Sequence, residues 1–141
     1  MKKIIFVALV LMCTYATNFA QNMAPLATVK AFKQKFPNAT NVKWGKENPN
    51  NYEASFELKS TKYSANFSDI GEWLETESPY SFGQLPEKVQ AGFKKIHNDV
   101  IPKAVSKIET SKKGTIYEIE VAEGVKTVEL FYKPDGTETK E

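Results

Sequence analysis

Tyr52-Glu53-Ala54-Ser55-Phe56-Glu57-Leu58 is the stretch that decides the fold of this chain. Apolar and aromatic residues take every second place, and acidic or hydroxyl residues fill the places between. Successive side chains of a strand point to opposite faces, so this alternation is a strand with one buried and one wet face. The pattern returns 65 positions later as Tyr117-Glu118-Ile119-Glu120-Val121. The turn residues keep the same offset: Asp69-Ile70-Gly71 precedes Pro134-Asp135-Gly136 by 65.

Working outward from the first copy, Val42 and Trp44 alternate with Lys43, and Asn48-Pro49-Asn50-Asn51 breaks the chain into a turn. A third strand carries Tyr63, Ala65 and Phe67 on one face, and a fourth runs from Glu72 to Glu77. Before them, Leu26, Val29, Phe32 and Phe36 recur at helical spacing between Pro25 and Pro37, with Lys30, Lys33 and Lys35 on the other faces. Residues 78–85 read as a linker. Pro86 then opens a second helix with Val89, Phe93 and Ile96 on one side, closed by Asn98-Asp99 and Pro102. Strands follow at Val105–Ile108, 117–121 and 128–132, with Lys112-Lys113-Gly114 as the intervening turn. The expected architecture is α+β: two repeats, about 25–78 and 85–141, each a helix plus about four antiparallel strands. Their strands join in one continuous antiparallel sheet with both helices on one face.

Ahead of this domain stand Lys2 and Lys3, an apolar run from Ile4 to Met12, and Asn18-Phe19-Ala20-Gln21. The run is far shorter than the roughly 20 residues that span a bilayer, so residues 1–20 read as a secretory signal cut after Ala20. A rival reading makes Cys13 a lipid-attachment site, against which the bulky Met12 argues. The formal charge of +2 belongs to the signal: without Lys2 and Lys3, the 19 basic residues become 17, matching the 17 acidic ones. The sole cysteine, Cys13, leaves with it, and the chain has no arginine. The exported domain, residues 21–141, is thus neutral and thiol-free, an unpromising binder of nucleic acid. The expected location is the periplasm or the exterior.

The order of parts resembles the PepSY-like, β-lactamase-inhibitor-like family of periplasmic proteins. The residues that carry it are Val29-Lys30-Ala31-Phe32, Phe36-Pro37-Asn38-Ala39, Val42-Lys43-Trp44, Tyr52-Glu53-Ala54, Ala65-Asn66-Phe67 and Gly71-Glu72-Trp73-Leu74-Glu75-Thr76-Glu77, followed by Leu85-Pro86-Glu87-Lys88-Val89. In the second half, Ile96-His97-Asn98-Asp99 departs from the aromatic-proline helix exit of the first. The resemblance implies a tandem helix-plus-sheet domain like the inhibitor that docks its sheet on β-lactamase. It transfers no catalytic residue, and fold does not fix function.

Catalytic chemistry has little to work with. The domain has one histidine, His97, near a helix end, and neither a Gly-x-Ser-x-Gly elbow nor the ligands of a zinc site. We therefore expect no enzyme, cofactor or metal. The candidates for binding are outward residues of the sheet. Phe131 alternates out of phase with Leu130 and Tyr132, and Leu74 joins it if its hairpin loop has three residues. Glu53, Glu57, Glu118, Glu120 and Glu129 also fall on the wet face, where a solvated surface is their plain reading. Tyr80 and Phe82 in the linker are a second candidate patch, for which pinning the linker to the core is the plainer reading. The function expected from this pattern is a non-catalytic binding module, inhibitor-like, that meets another envelope or secreted protein through the outer sheet face. The alternative is a small-molecule or calcium binder using the outward carboxylates.

Overall fold

The computed structural model describes residues 24–140. Helix α1 (Leu26–Lys35) leads into β1 (Thr40–Asn48), β2 (Asn51–Leu58), β3 (Thr61–Ser68) and β4 (Trp73–Tyr80). A 3-10 turn (Phe82–Gln84) and α2 (Glu87–Ile96) follow, then β5 (Ala104–Thr110), β6 (Gly114–Glu123), β7 (Lys126–Tyr132) and β8 (Glu138–Thr139). The strands pair in sequence order as one eight-stranded antiparallel sheet. A helix followed by four strands thus occurs twice, and the cross-strand pair Tyr52–Phe67 has its counterpart in Tyr117–Tyr132. The signal segment, its cut at Ala20 and Cys13 lie outside the described residues.

Both helices cover the same face. Phe32 packs with Ala54, Phe56, Ala65 and Phe67 in one cluster, and Val89 and Phe93 pack with Val105, Tyr117, Ile119, Val121 and Tyr132 in another. The helix boundaries follow from proline chemistry: Pro25 and Pro86 sit at the N-caps with extended ψ, as residues that cannot continue a helix backwards. Lys33, Lys35, Lys94 and Lys95 occupy the last turns, where the negative end of the helix dipole favours cations.

Each helix is pinned to the tip of a following hairpin. In the first half the Thr28 hydroxyl, fully buried, donates to the carbonyls of Ser68 at 2.8 Å and Asp69 at 3.2 Å. Gly71, with φ of 89°, lies so close that an added Cβ would stand 2.8 Å from the Ala27 carbonyl oxygen. In the second half Gly136 meets the Lys88 carbonyl and Gly92 meets the Gly136 carbonyl. These contacts fix how each helix lies over its strands.

Three sequence expectations are corrected. Leu26 is 84% exposed and Ile96 is 62% exposed, so neither belongs to the buried stripe of its helix. The inward residue of the first turn of α1 is Thr28, because the anchor there is a hydrogen bond to turn carbonyls. Val42 is also exposed: Asn41 takes a left-handed φ of 53° and the register of β1 shifts between Thr40 and Lys43, which turns Val42 out of the alternation. Residues 78–85 are no plain linker. Ser78, Pro79 and Tyr80 continue β4 by pairing with Lys107, Ser106 and Val105, and the 3-10 turn follows. Pairing with β3 stops at Glu77, so β4 is an edge on that side from Ser78 onward, a setting that tolerates proline. Tyr80 and Phe82 pack on the second core cluster, Phe82 against Phe93 at 5.4 Å between ring centroids.

Candidate functional site

The face turned away from the helices is built by strand alternation. Because Ala54, Phe56, Ala65 and Phe67 face the helices, Glu53, Ser55, Ser64 and Asn66 face the other way, and the cross-strand register extends this across the sheet. One row runs Gly45, Glu53, Asn66, Glu75, Thr110, Gly114. The next runs Lys43, Ser55, Ser64, Glu77, Ile108, Ile116. Further along, Ser106, Glu118, Phe131 and Thr139 form a third, and Glu120 stands opposite Glu129.

Phe131, Leu74, Glu53, Glu57, Glu118, Glu120 and Glu129 fall on this face, but their surroundings differ, whereas Tyr80 and Phe82 pack on the helix side. Phe131 is half-buried, with Glu118 and Thr139 as its cross-strand neighbours. Leu74 sits at an irregularity where Trp73 pairs with Phe67 and Glu75 with Asn66. It lines a cavity of about 170 Å³ with Glu75, Thr110, Ser111, Lys112, Lys113 and Ile116. Phe131 and Leu74 are not register partners; Ile116, two places before Glu118 on β6, separates them. Glu53, Glu57, Glu120 and Glu129 are half-buried. Glu118 corrects the expectation of a wet carboxylate: it is only 8% exposed, on an interior strand between Ser106 and Phe131.

Sequence reasoning missed four members of the face. Ile108 and Ile116 are 4% and 2% exposed and belong to neither helix-side cluster. The signal was available, since Ile116 is out of phase with Tyr117, Ile119 and Val121, the same irregularity that marks Phe131. Asn66 and Glu75 were the others: the Asn66 side-chain NH₂ donates to a Glu75 carboxylate oxygen at 2.9 Å, while the Asn66 Oδ1 is buried without a partner.

The electrostatics are those of crowded like charges. Burial holds the Glu53 carboxyl above its ordinary value, and the neighbouring charges of Glu47, Glu77 and Glu75 push the same way, against a hydrogen bond from Ser55. A carboxyl whose folded-state pKa is raised binds its proton more tightly when folded, so it costs stability as pH rises from the unfolded towards the folded value. Glu53→Gln is therefore expected to raise the melting temperature at pH 7. The gain should shrink as pH falls through the carboxylate range and vanish below the ordinary value of 4.5; melts of the two proteins across pH 3 to 8 check it.

Among the described residues no three of His, Cys, Asp and Glu stand close enough to hold a metal ion, so the row is not arranged as a calcium cage. The cavity beside Leu74 is smaller than the roughly 300–1,000 Å³ of small-molecule sites. His97 caps the C-terminal end of α2 and stacks on Phe93 at 5.1 Å. No helix of the described residues is long and apolar enough to cross a membrane.

Comparison with known proteins agrees with this architecture. A BLIP-like protein from Bacteroides fragilis superposes with a TM-score of 0.71 at 26% identity, covering 84% of this chain and 85% of its own. A DUF2874 family protein from Bacteroides ovatus gives 0.74 at 24% identity, covering 84% and 86%. One of the "putative periplasmic proteins" from Bacteroides eggerthii gives 0.76 at 19%, covering 84% and 87%. At these identities the latter two speak for the fold alone. No curated protein matches the chain. The family model described as "Putative beta-lactamase-inhibitor-like, PepSY-like" matches residues 50–138, more than half of the chain. The chain belongs to the PepSY-like, β-lactamase-inhibitor-like family.

Proposed function

We propose that this protein is an exported, non-catalytic binding module that docks another envelope or secreted protein on the helix-free face of its sheet. The observation that carries the reading is the one-sided architecture: both helices lie on one face, and the opposite face carries Phe131, Leu74 and the carboxylate rows. Aromatic residues are enriched among the anchors of protein contacts. Family membership and the inhibitor-like description of the family support the same role. Export is supported by the leader pattern and by the periplasmic description of one structural relative.

Photo-crosslinking tests the reading. With a photoreactive residue at position 131, cells producing the protein are expected to yield a discrete adduct, and the same group at Lys94 on α2 is expected to yield none. Adducts formed equally from both positions would refute docking on the sheet face. In a pull-down, Phe131→Ala is expected to weaken the captured partner by about tenfold or more, the scale of a central aromatic anchor. The specific version, inhibition of a β-lactamase, is read from cephalosporin hydrolysis by purified β-lactamases with and without the domain. Unchanged rates would remove that version and leave the crosslinking result to decide the rest.

A further inference from the structure

Resting on the docking reading above, we infer that the partner presents a basic protein surface to this face, with several lysine or arginine side chains meeting the carboxylate rows. The chain as a whole does not predict this, since its exported part is neutral. The charges are instead segregated by face. Strand alternation places Glu47, Glu53, Glu57, Glu75, Glu77 and Glu120 on the helix-free side, with Lys43 and Lys62 as the lysines of its strands. The helices carry the reverse: six lysines, among them Lys30, Lys33, Lys94 and Lys95, against Glu87 alone.

Neither strand lysine stands in the central row, and the turn lysines Lys112 and Lys113 approach only its far end, where they line the cavity with Glu75. Lys62 is the register partner of Glu57 and Lys43 that of Ser55, both away from the row Glu53, Asn66, Glu75. Among the described residues no ion pair reaches that row; the Lys107–Glu109 pair at 2.7 Å lies elsewhere. Glu53 feels Glu47, Glu75 and Glu77 together, the sign of a shared negative field.

Two features describe what fits. The carboxylates are too far apart to chelate one ion, yet adjacent strands stand about 4.8 Å apart and same-face residues along a strand about 6.8 Å, so they suit several cationic side chains at once. Gly45, the β1 partner of Glu53, has open space where a side chain would stand, leaving room for a long cationic side chain beside Glu53. Complementary charge of this kind raises the encounter rate and selects the partner.

The test uses the mature domain and an extended peptide, (Lys-Thr)₄, with (Glu-Thr)₄ as the control, followed by amide NMR at low ionic strength. Saturable binding of the lysine peptide is expected, with the largest shifts at residues 53, 66, 75 and 77. Glu75→Lys/Glu77→Lys is expected to weaken it by about tenfold or more, as is raising the ionic strength to about 1 M, where the Debye length is about 3 Å. Glu87→Lys on α2 should leave it unchanged. If the reversed variant does not fold, Glu75→Gln/Glu77→Gln gives the same reading. Equal binding of both peptides, no saturation, or indifference to the variants would overturn the inference. Salt-sensitive self-association of the domain alone would also overturn it, assigning the face to the lysine-bearing helices of a second copy. A crosslink from position 131 that survives both high salt and charge reversal would sink the basic partner while leaving the docking reading intact.

Discussion

Phe32→Ala is expected to lower the stability of the domain by about 4 kcal/mol, the middle of the range for deleting a buried phenylalanine. Phe32 is the one fully buried large side chain that α1 contributes to the first core cluster. Its ring lies 5.0 Å from Phe56, 5.3 Å from Trp44, 5.4 Å from Phe36 and 6.0 Å from Phe67, mostly edge-on, the arrangement aromatic quadrupoles prefer. Alanine would leave a void walled by aromatic rings held on paired strands, which can close only by bending the sheet. Val29 and Phe36 are half-buried and cannot substitute. Chemical denaturation read by tryptophan fluorescence checks the value, since Trp44 touches the site. A loss under 1.5 kcal/mol would mean that α1 packs elsewhere.

Gly136→Ala is expected to cost about 3 kcal/mol, from two separate causes. With φ of 84° the position is strained for any L side chain, a cost of about 1 kcal/mol. The new methyl group would also stand against the Lys88 carbonyl of α2, a backbone atom that can yield only if the helix moves. Overpacking of that kind adds roughly 1–3 kcal/mol. Gly124 is the control: its φ of 63° carries the same backbone cost, but open space surrounds it, so Gly124→Ala should lose only about 1 kcal/mol. Thermal melts of the two variants separate the causes. Equal losses would show that the helix does not rest on the β7–β8 turn.

Most of the fold was legible from residue order. The two-residue period of Tyr52–Leu58 and of Tyr117–Val121 set the strands and the buried face, and the prolines at 25, 37 and 86 set the helices. These are local signals, because they depend on backbone geometry within one element. Errors arose where a neighbour decided the outcome. Val42 left its face because of a bulge against β2, and Tyr80 stayed in a strand because β5 paired with it. Leu26 and Ile96 fit their stripes by spacing but are the first residue of α1 and the last of α2, and both are exposed.

For the candidate site, which side Phe131 and the glutamates take follows from alternation alone and is a property of the sequence by itself. So are the equal numbers of lysines and acidic residues in 21–141 and the want of arginine and cysteine there. Which carboxylates share one field is different. Glu53 sits on β2 and Glu75 and Glu77 on β4, with β3 between them, and Glu75 meets Asn66 only through the register of β3 with β4, where an irregularity shifts the pairing by one residue. The burial of Glu118, Ile108 and Ile116 likewise comes from their place on interior strands. A chain can encode the face of each strand locally, but the distance between charges on different strands exists only once the sheet has set its register.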